Sequence, residues 1–169
     1  MRRLAAIGLV AALACVFAAV ALAADTARPD GEVKRKGKNF KGAEVVSDSS
    51  GGQTAGAKVK QGGKAIFIFR YRNATFTDTT DDLDVGSGVQ SDNFIVTYKA
   101  EGSDVTSEVV GGTLVFEDVA PDELTPKVKA KVKVAEDAPD GFVDKTVVGA
   151  WADDNPGVRD QPAWKVKVK

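Results

Sequence analysis

The sequence contains no histidine and only one cysteine, Cys15. Without an imidazole, the chain cannot form a Ser-His-Asp or Cys-His nucleophilic site, or a zinc site with histidine ligands. Because Cys15 lies in an apolar N-terminal run, the rest of the chain also has no disulfide to stabilise it. These absences predict a non-enzymatic protein. A small hydrolase with a carboxylate pair is the weaker alternative, because two Asp or Glu residues suffice for glycoside hydrolysis.

The first 23 residues have the pattern of a secretory signal peptide. Arg2 and Arg3 precede a run rich in Ala, Val and Leu, and Ala21-Leu22-Ala23 has the small-x-small form of a cleavage site. We expect cleavage between Ala23 and Ala24, and a secreted, extracytoplasmic protein. A retained membrane anchor is the alternative, because the apolar run approaches the roughly 20 residues that span a bilayer.

Residues 24–41 form a basic segment with few residues that could build a core, and this composition predicts a flexible leader. Its cations are Arg28, Lys34, Arg35, Lys36, Lys38 and Lys41. They either remain solvated or tether the chain to an anionic cell surface by charge.

Alternation of apolar and polar residues predicts strands over most of the chain after Gly42. Val45 and Val46 mark a candidate first strand. The clearest patterns lie at residues 66–72, 94–98, 114–116, 124–134, 145–151 and 164–169, with Gly- and Pro-containing turns between them. About seven strands of this kind predict one all-β domain at residues 42–169, an antiparallel immunoglobulin-like β-sandwich.

The order of several short motifs resembles bacterial extracellular immunoglobulin-like modules of the group found beside cell-adhesion and conserved-repeat domains. The motifs are Gly62-Gly63-Lys64 before an aromatic strand, Ser91–Val96, Gly102–Thr106, Gly111–Leu114, Val119-Ala120-Pro121 and a final Val/Lys strand. The resemblance covers about residues 57–169. It implies the same sandwich and a spacer, stalk or adhesive role at the cell surface, and it carries no catalytic residues.

In two of the predicted strands, lysines alternate with the apolar residues. The residues concerned are Lys127, Lys129, Lys131 and Lys133 in one strand, and Lys165, Lys167 and Lys169 in the other. If the two strands share a sheet, these lysines form one basic outer face that could bind an anionic glycan or wall polymer. Ordinary solvated positions are the alternative, because alternation alone predicts polar residues there.

Trp151 is a further candidate ligand-binding residue, because an exposed aromatic ring can stack on a sugar; its strand pattern does not fix its face. Two acidic loops are candidate calcium sites, since calcium prefers several oxygen ligands. They contain Asp78, Asp81, Asp82 and Asp84, and Asp153 and Asp154. Neither loop has the helix–loop–helix pattern, so solvated carboxylates are the alternative, and we expect no other cofactor.

The balance of charges bears on the partner. The chain has 23 Lys and Arg against 24 Asp and Glu, which gives a formal net charge of −1. A nucleic-acid-binding domain is usually strongly basic. We therefore expect a cell-envelope polymer or another extracellular protein as the partner, and no nucleic acid.

Overall fold

The computed structural model describes residues 28–46, 52–75, 80–88, 91–153 and 156–169. The predicted signal peptide at residues 1–23 lies outside the described residues. Within them are eleven strands and one six-residue helix: β1 (Pro29–Arg35), β2 (Thr54–Val59), β3 (Lys64–Asn73), β4 (Asp81–Ser87), β5 (Phe94–Ala100), β6 (Ser103–Asp104), α1 (Thr106–Gly111), β7 (Leu114–Val119), β8 (Val128–Val134), β9 (Val143–Ala152), β10 (Arg159–Asp160) and β11 (Ala163–Val168). No helix in these ranges is long and apolar enough to cross a membrane.

The strands form two sheets that pack as an immunoglobulin-like β-sandwich. The first sheet has the order β1-β3-β8-β5-β6, and the second has the order β2-β11-β9-β4-β7, with β10 paired to β9. All strand pairs are antiparallel except β2 with β11, which is parallel. The predicted all-β sandwich is therefore confirmed, with more strands than the sequence pattern indicated.

The core lies between the sheets and is built by the alternation seen in the sequence. In β3, Phe67, Phe69 and Tyr71 are buried, and in β8 the four inward positions are Val128, Ala130, Val132 and Val134. Trp164 of β11 comes from the opposite sheet and stacks on Phe67, with ring centroids 5.6 Å apart. Because side chains alternate between the two faces of a strand, these apolar positions leave the intervening residues on the outer faces.

The prediction of a flexible leader is wrong for residues 29–35, which form β1. This strand pairs along its whole length with β3, from Pro29 opposite Asn73 to Arg35 opposite Phe67. It has no clear apolar alternation, and the polar contacts described below hold it instead. The candidate first strand at Val45 and Val46 is also wrong: both residues lie in irregular backbone.

The short helix α1 was not predicted. It is too short to show a helical apolar stripe, and only Val109 is buried. Gly112 ends it in the left-handed conformation, with φ 67°, which glycine adopts without the steric cost of a side chain. The helix connects the edge of the first sheet to β7 of the second.

Candidate functional site

Six lysines lie together on the outer face of the first sheet. They come from three adjacent strands and from the residue before β8, and all are exposed: Lys64, Lys99, Lys127, Lys129, Lys131 and Lys133. We refer to these six residues as the β8 face. The structure thus confirms that Lys127 to Lys133 point outward, as their alternation with valine and alanine predicts.

Two cross-strand pairs in the β8 face bring like charges directly opposite each other. Lys133 lies opposite Lys64 of β3, and Lys129 lies opposite Lys99 of β5. Directly opposite residues in an antiparallel pair have Cβ atoms about 4.5–5.5 Å apart, and like charges there destabilise the sheet. Solvation requires only that these positions be polar, so it does not account for lysine opposite lysine.

The second lysine strand does not belong to this face. β8 lies in the first sheet and β11 in the second, so Lys165 and Lys167 point outward on the side of the sandwich opposite the β8 face. The prediction that both strands could contribute to one face is therefore wrong. The valines of the two strands face each other across the core, which necessarily turns their lysines in opposite directions.

The β11 lysines instead line a second basic surface. It is an open groove of about 630 Å³ lined by Arg35, Gly56, Ala57, Lys58, Lys165, Lys167 and Lys169. We refer to these residues as the β11 groove. Lys145 of β9, next to the groove, lies directly opposite Lys165, so an opposed pair of lysines borders this surface.

Trp151 lies on the outer face of the second sheet and is half-buried. Its ring rests near Gly86 and Gly112, and the guanidinium of Arg159 lies over it, 5.4 Å from the ring centroid. The residue belongs to a groove of about 420 Å³ that contains none of the candidate lysines. Along β9, Trp151 is six residues from Lys145, or about 20 Å in a strand, so the structure does not place it beside the basic surfaces.

The expectation of an acidic loop is wrong for Asp81, Asp82 and Asp84, which lie in strand β4. Asp153 follows β9, the neighbour of β4, at the same end of the second sheet. The Asp82 carboxylate accepts a hydrogen bond from the Asp118 backbone N–H at 2.8 Å. The backbone carbonyl oxygen of Asp82 accepts a second one from the Asp153 N–H at 3.1 Å. Burial raises the pKa of Asp84, and the charge of Asp153 adds to this, while a hydrogen bond from Trp151 opposes it.

No group of three or more His, Cys, Asp or Glu residues within the described ranges is arranged to hold a metal. Asp78 and Asp154 lie outside those ranges, so calcium binding at either loop stays a prediction.

A buried polar cluster that sequence reasoning missed holds β1 to the second sheet. The Asp160 carboxylate accepts hydrogen bonds from the Gly31 backbone N–H and from the Gln53 amide, the latter at 2.8 Å. Gln53 also donates to the carbonyl oxygens of Gly31 and Val45. Asp160 and Gln53 are both fully buried, so this cluster has the position of a structural link rather than of a solvent-facing site.

The outer side of β1 is fixed by charge. Arg70 of β3 forms a salt bridge with Glu32, with Nη2 and Oε2 2.8 Å apart. Lys34 and Arg70 both lie over the ring of Phe40, with their cationic groups 4.2 and 4.3 Å from its centroid. Lys34 is therefore in contact with the folded domain, although the sequence presents it as part of a solvated leader.

One open groove brings carboxylates and arginines together. It has a volume of about 460 Å³ and is lined by Arg28, Asp30, Glu44, Val46, Arg72, Ala74, Thr75 and Asp122. Burial raises the pKa of Asp30, which also accepts a hydrogen bond from the Glu44 N–H at 2.9 Å. The carboxylate-pair hydrolase stays an untested alternative.

No family model matches the chain. No curated protein sequence matches it either. Three solved structures illustrate what the fold is similar to. A family 123 glycoside hydrolase from Clostridium perfringens is 9% identical, with a TM-score of 0.43; the match covers 69% of this chain and 23% of the hydrolase. An ASH/PapD-like domain of a human protein is 9% identical, with a TM-score of 0.39 and coverage of 83% and 84%.

Domains 4 and 5 of the S-layer protein SbsC are 13% identical, with a TM-score of 0.29 and coverage of 74% and 51%. This chain therefore spans about a quarter of the hydrolase and half of the S-layer structure. Likenesses at this level carry no argument about function, and the sandwich assignment rests on the strand pairing itself.

Proposed function

We propose that this protein is a non-enzymatic extracytoplasmic binding module that attaches to an anionic polymer of the cell envelope through the β8 face. The observation that carries the proposal is the pairing of Lys129 with Lys99 and of Lys133 with Lys64 on an exposed sheet surface. Such pairs oppose folding, and an anionic ligand lying between them would remove the repulsion.

The spacing of the face suits a linear polymer. Lys129, Lys131 and Lys133 lie at alternate positions of β8, so their attachment points are about 7 Å apart along the strand. Neighbouring strands are about 4.8 Å apart, which places Lys64 and Lys99 on either side of this row. The face therefore offers a row of cations along β8 with one lysine on each neighbouring strand, an arrangement that suits a linear polyanion.

The rest of the protein balances this charge. The chain has a formal net charge of −1, so the basic character belongs to particular surfaces and not to the molecule as a whole. Attraction between exposed charges is screened over about 10 Å at 0.1 M salt. Binding should consequently be strong at low ionic strength and weaken steeply as salt is added.

The proposal is tested by retention of the purified protein on immobilised polygalacturonate and on the host's envelope fraction across a salt series. The triple variant Lys129→Gln, Lys131→Gln, Lys133→Gln removes the centre of the face. Exposed ion pairs contribute about 0.2–1 kcal/mol each, so we expect affinity for polygalacturonate to fall about tenfold at low salt.

The matched control is Lys36→Gln, Lys38→Gln, Lys60→Gln, which removes the same charge from exposed positions outside both basic surfaces. Neutral dextran serves as the control polymer. If the face variant is retained like the wild type, or if the wild type is not retained at low salt, the proposed function is wrong.

A further inference from the structure

We propose that the β11 groove is a second binding surface for the same class of polyanion, so that one molecule joins two polymer chains. This inference rests on the proposed function of the β8 face and adds a second, separate contact. The lysines of β8 and β11 lie on opposite outer faces of the sandwich, so each set is exposed to a separate ligand.

The groove concentrates positive charge where packing does not require it. Five of its seven lining residues are cations, and Arg35 comes from the first sheet whereas the four lysines come from the second. None of the five forms a salt bridge within the part of the chain that the structure describes. The acidic residue beside the groove is Asp140, at the end where Lys167 and Lys169 meet Gly141.

The cross-strand pairs repeat the arrangement of the β8 face. Lys165 lies opposite Lys145 in the antiparallel pair, and Lys167 lies beside Lys58 in the parallel pair. Each pair places two cations on neighbouring strands of the same outer face. The two surfaces thus share the feature that carries the proposed function, although they have no residue in common.

Gly56 lies on the floor of the groove, and glycine at this position indicates that a ligand binds there. Its position in β2 faces solvent, and a Cβ atom added there would have the Lys165 carbonyl oxygen, 4.0 Å away, as its nearest neighbour. The backbone is not in the left-handed region, so neither space nor conformation requires glycine here. A glycine inside a strand often marks a place where a ligand approaches the backbone closely, and here it leaves the floor open between the lysines.

The geometry separates the two surfaces. The two sheets of a sandwich pack about 10 Å apart, and the outward side chains extend in opposite directions from them. A polymer segment on the β8 face cannot also lie in the β11 groove unless it bends around the edge where β1 and β2 meet. Two separate chains can occupy both surfaces without bending.

The test uses a fluorescent decamer of galacturonate for stoichiometry and long polygalacturonate for bridging, both at low salt. The groove variant is Lys58→Gln, Lys165→Gln, Lys167→Gln, and the face variant is the triple variant described above. We expect two decamers per wild-type molecule by sedimentation velocity and one for each variant. Light scattering of the wild type with long polymer should be at least fivefold higher than that of either variant.

Gly56→Leu provides a second route that keeps every charge. Its Cβ atom would meet no heavy atom closer than 4.0 Å, and the position faces the open groove, so the larger side chain is placed where a ligand would lie. We expect it to lose the second decamer and most of the scattering while keeping the melting temperature and the retention of the β8 face. Unchanged stoichiometry in both Gly56→Leu and the groove variant would overturn the inference.

The remaining outcomes distinguish the two proposals. If the groove variant behaves as the wild type while the face variant binds nothing, the proposed function stands and the bridging inference fails. If the face variant behaves as the wild type while the groove variant binds nothing, both the proposed function and bridging fail. One decamer per wild-type molecule, with no scattering, would overturn bridging, whether that decamer occupies one surface or bends around the β1–β2 edge.

Discussion

Replacement of Gly31 by alanine should destabilise the protein strongly, because Gly31 lies where β1 touches the second sheet. A Cβ atom at this position would come within 2.7 Å of Pro162 Cδ and 2.9 Å of Asp160 Oδ2. The Gly31 N–H also donates to that carboxylate, and its carbonyl accepts from Gln53 at 3.3 Å. The added methyl group must therefore push β1 away from its buried partners.

The cost can be worked from these contacts. Overpacking of a filled interior costs about 1–3 kcal/mol, and a weakened hydrogen bond to a buried charge adds about 1.5–3 kcal/mol. We expect the free energy of unfolding to fall by about 4 kcal/mol, and the melting temperature by about 10 °C in a domain of this size. Guanidinium unfolding followed by tryptophan fluorescence measures the change, because buried Trp164 reports on the core.

Gly56→Ala is the matched control, because it makes the same chemical change in a strand where the added methyl group meets no heavy atom closer than 4.0 Å. Its free energy of unfolding should stay the same or rise by about 0.5–1 kcal/mol, the usual gain when alanine replaces glycine in a strand. A Gly31→Ala protein as stable as the Gly56→Ala protein would refute the docking of β1 against the second sheet.

Two further predictions concern charge. Lys129→Glu should raise the free energy of unfolding in urea by about 0.2–1 kcal/mol, because it places a negative charge opposite Lys99, and it should weaken retention on a polygalacturonate column. The control Lys36→Glu should change neither quantity. A loss of stability in Lys129→Glu would contradict the repulsion between Lys129 and Lys99. Burial raises the pKa of Asp30 above its ordinary 3.8, so the folded state holds this proton more tightly than the unfolded state. The stability of the wild type relative to Asp30→Asn should therefore fall as the pH rises from the ordinary pKa through the raised pKa. Urea unfolding at several pH values measures this difference, and a difference independent of pH would show that Asp30 is not buried as described.

The alternating strands could be predicted from the sequence because their signal is local. In β3, β8 and β11, residues two apart share a face, and each strand by itself has enough apolar side chains to identify the buried one. Phe67, Val132 and Val166 accordingly lie in the core. The alternation in these strands was sufficient to predict the all-β fold class.

β1 and β4 could not be predicted in the same way. β1 is stabilised by hydrogen bonds and charge from residues distant in sequence, such as Asp160 and Arg70, and a polar strand of this kind looks like a solvated segment. In β4, three aspartates surround the two buried residues Leu83 and Val85. Composition therefore indicated an acidic loop where the structure has a strand between β9 and β7 of the second sheet.

The candidate site was predictable only in part. Alternation fixes which side of its own strand each lysine occupies, and Lys131 and Lys167 are exposed as expected. It does not determine which sheet a strand joins, since pairing depends on contacts between distant segments. For the same reason, the opposed lysine pairs and the open floor at Gly56 had no signal in the sequence.

The parallel pairing of β2 with β11 also determines when the fold can be completed. β11 is the last of the described strands, yet it lies between β2 and β9 inside the second sheet. β2 therefore has no partner in that sheet until the residues from Ala163 onward are available. Contacts between such distant segments make folding slow, in the range of milliseconds to seconds for many β-sandwiches. During synthesis the second sheet must wait for β11, so β2 stays without its partner in that sheet while all the strands between them are made.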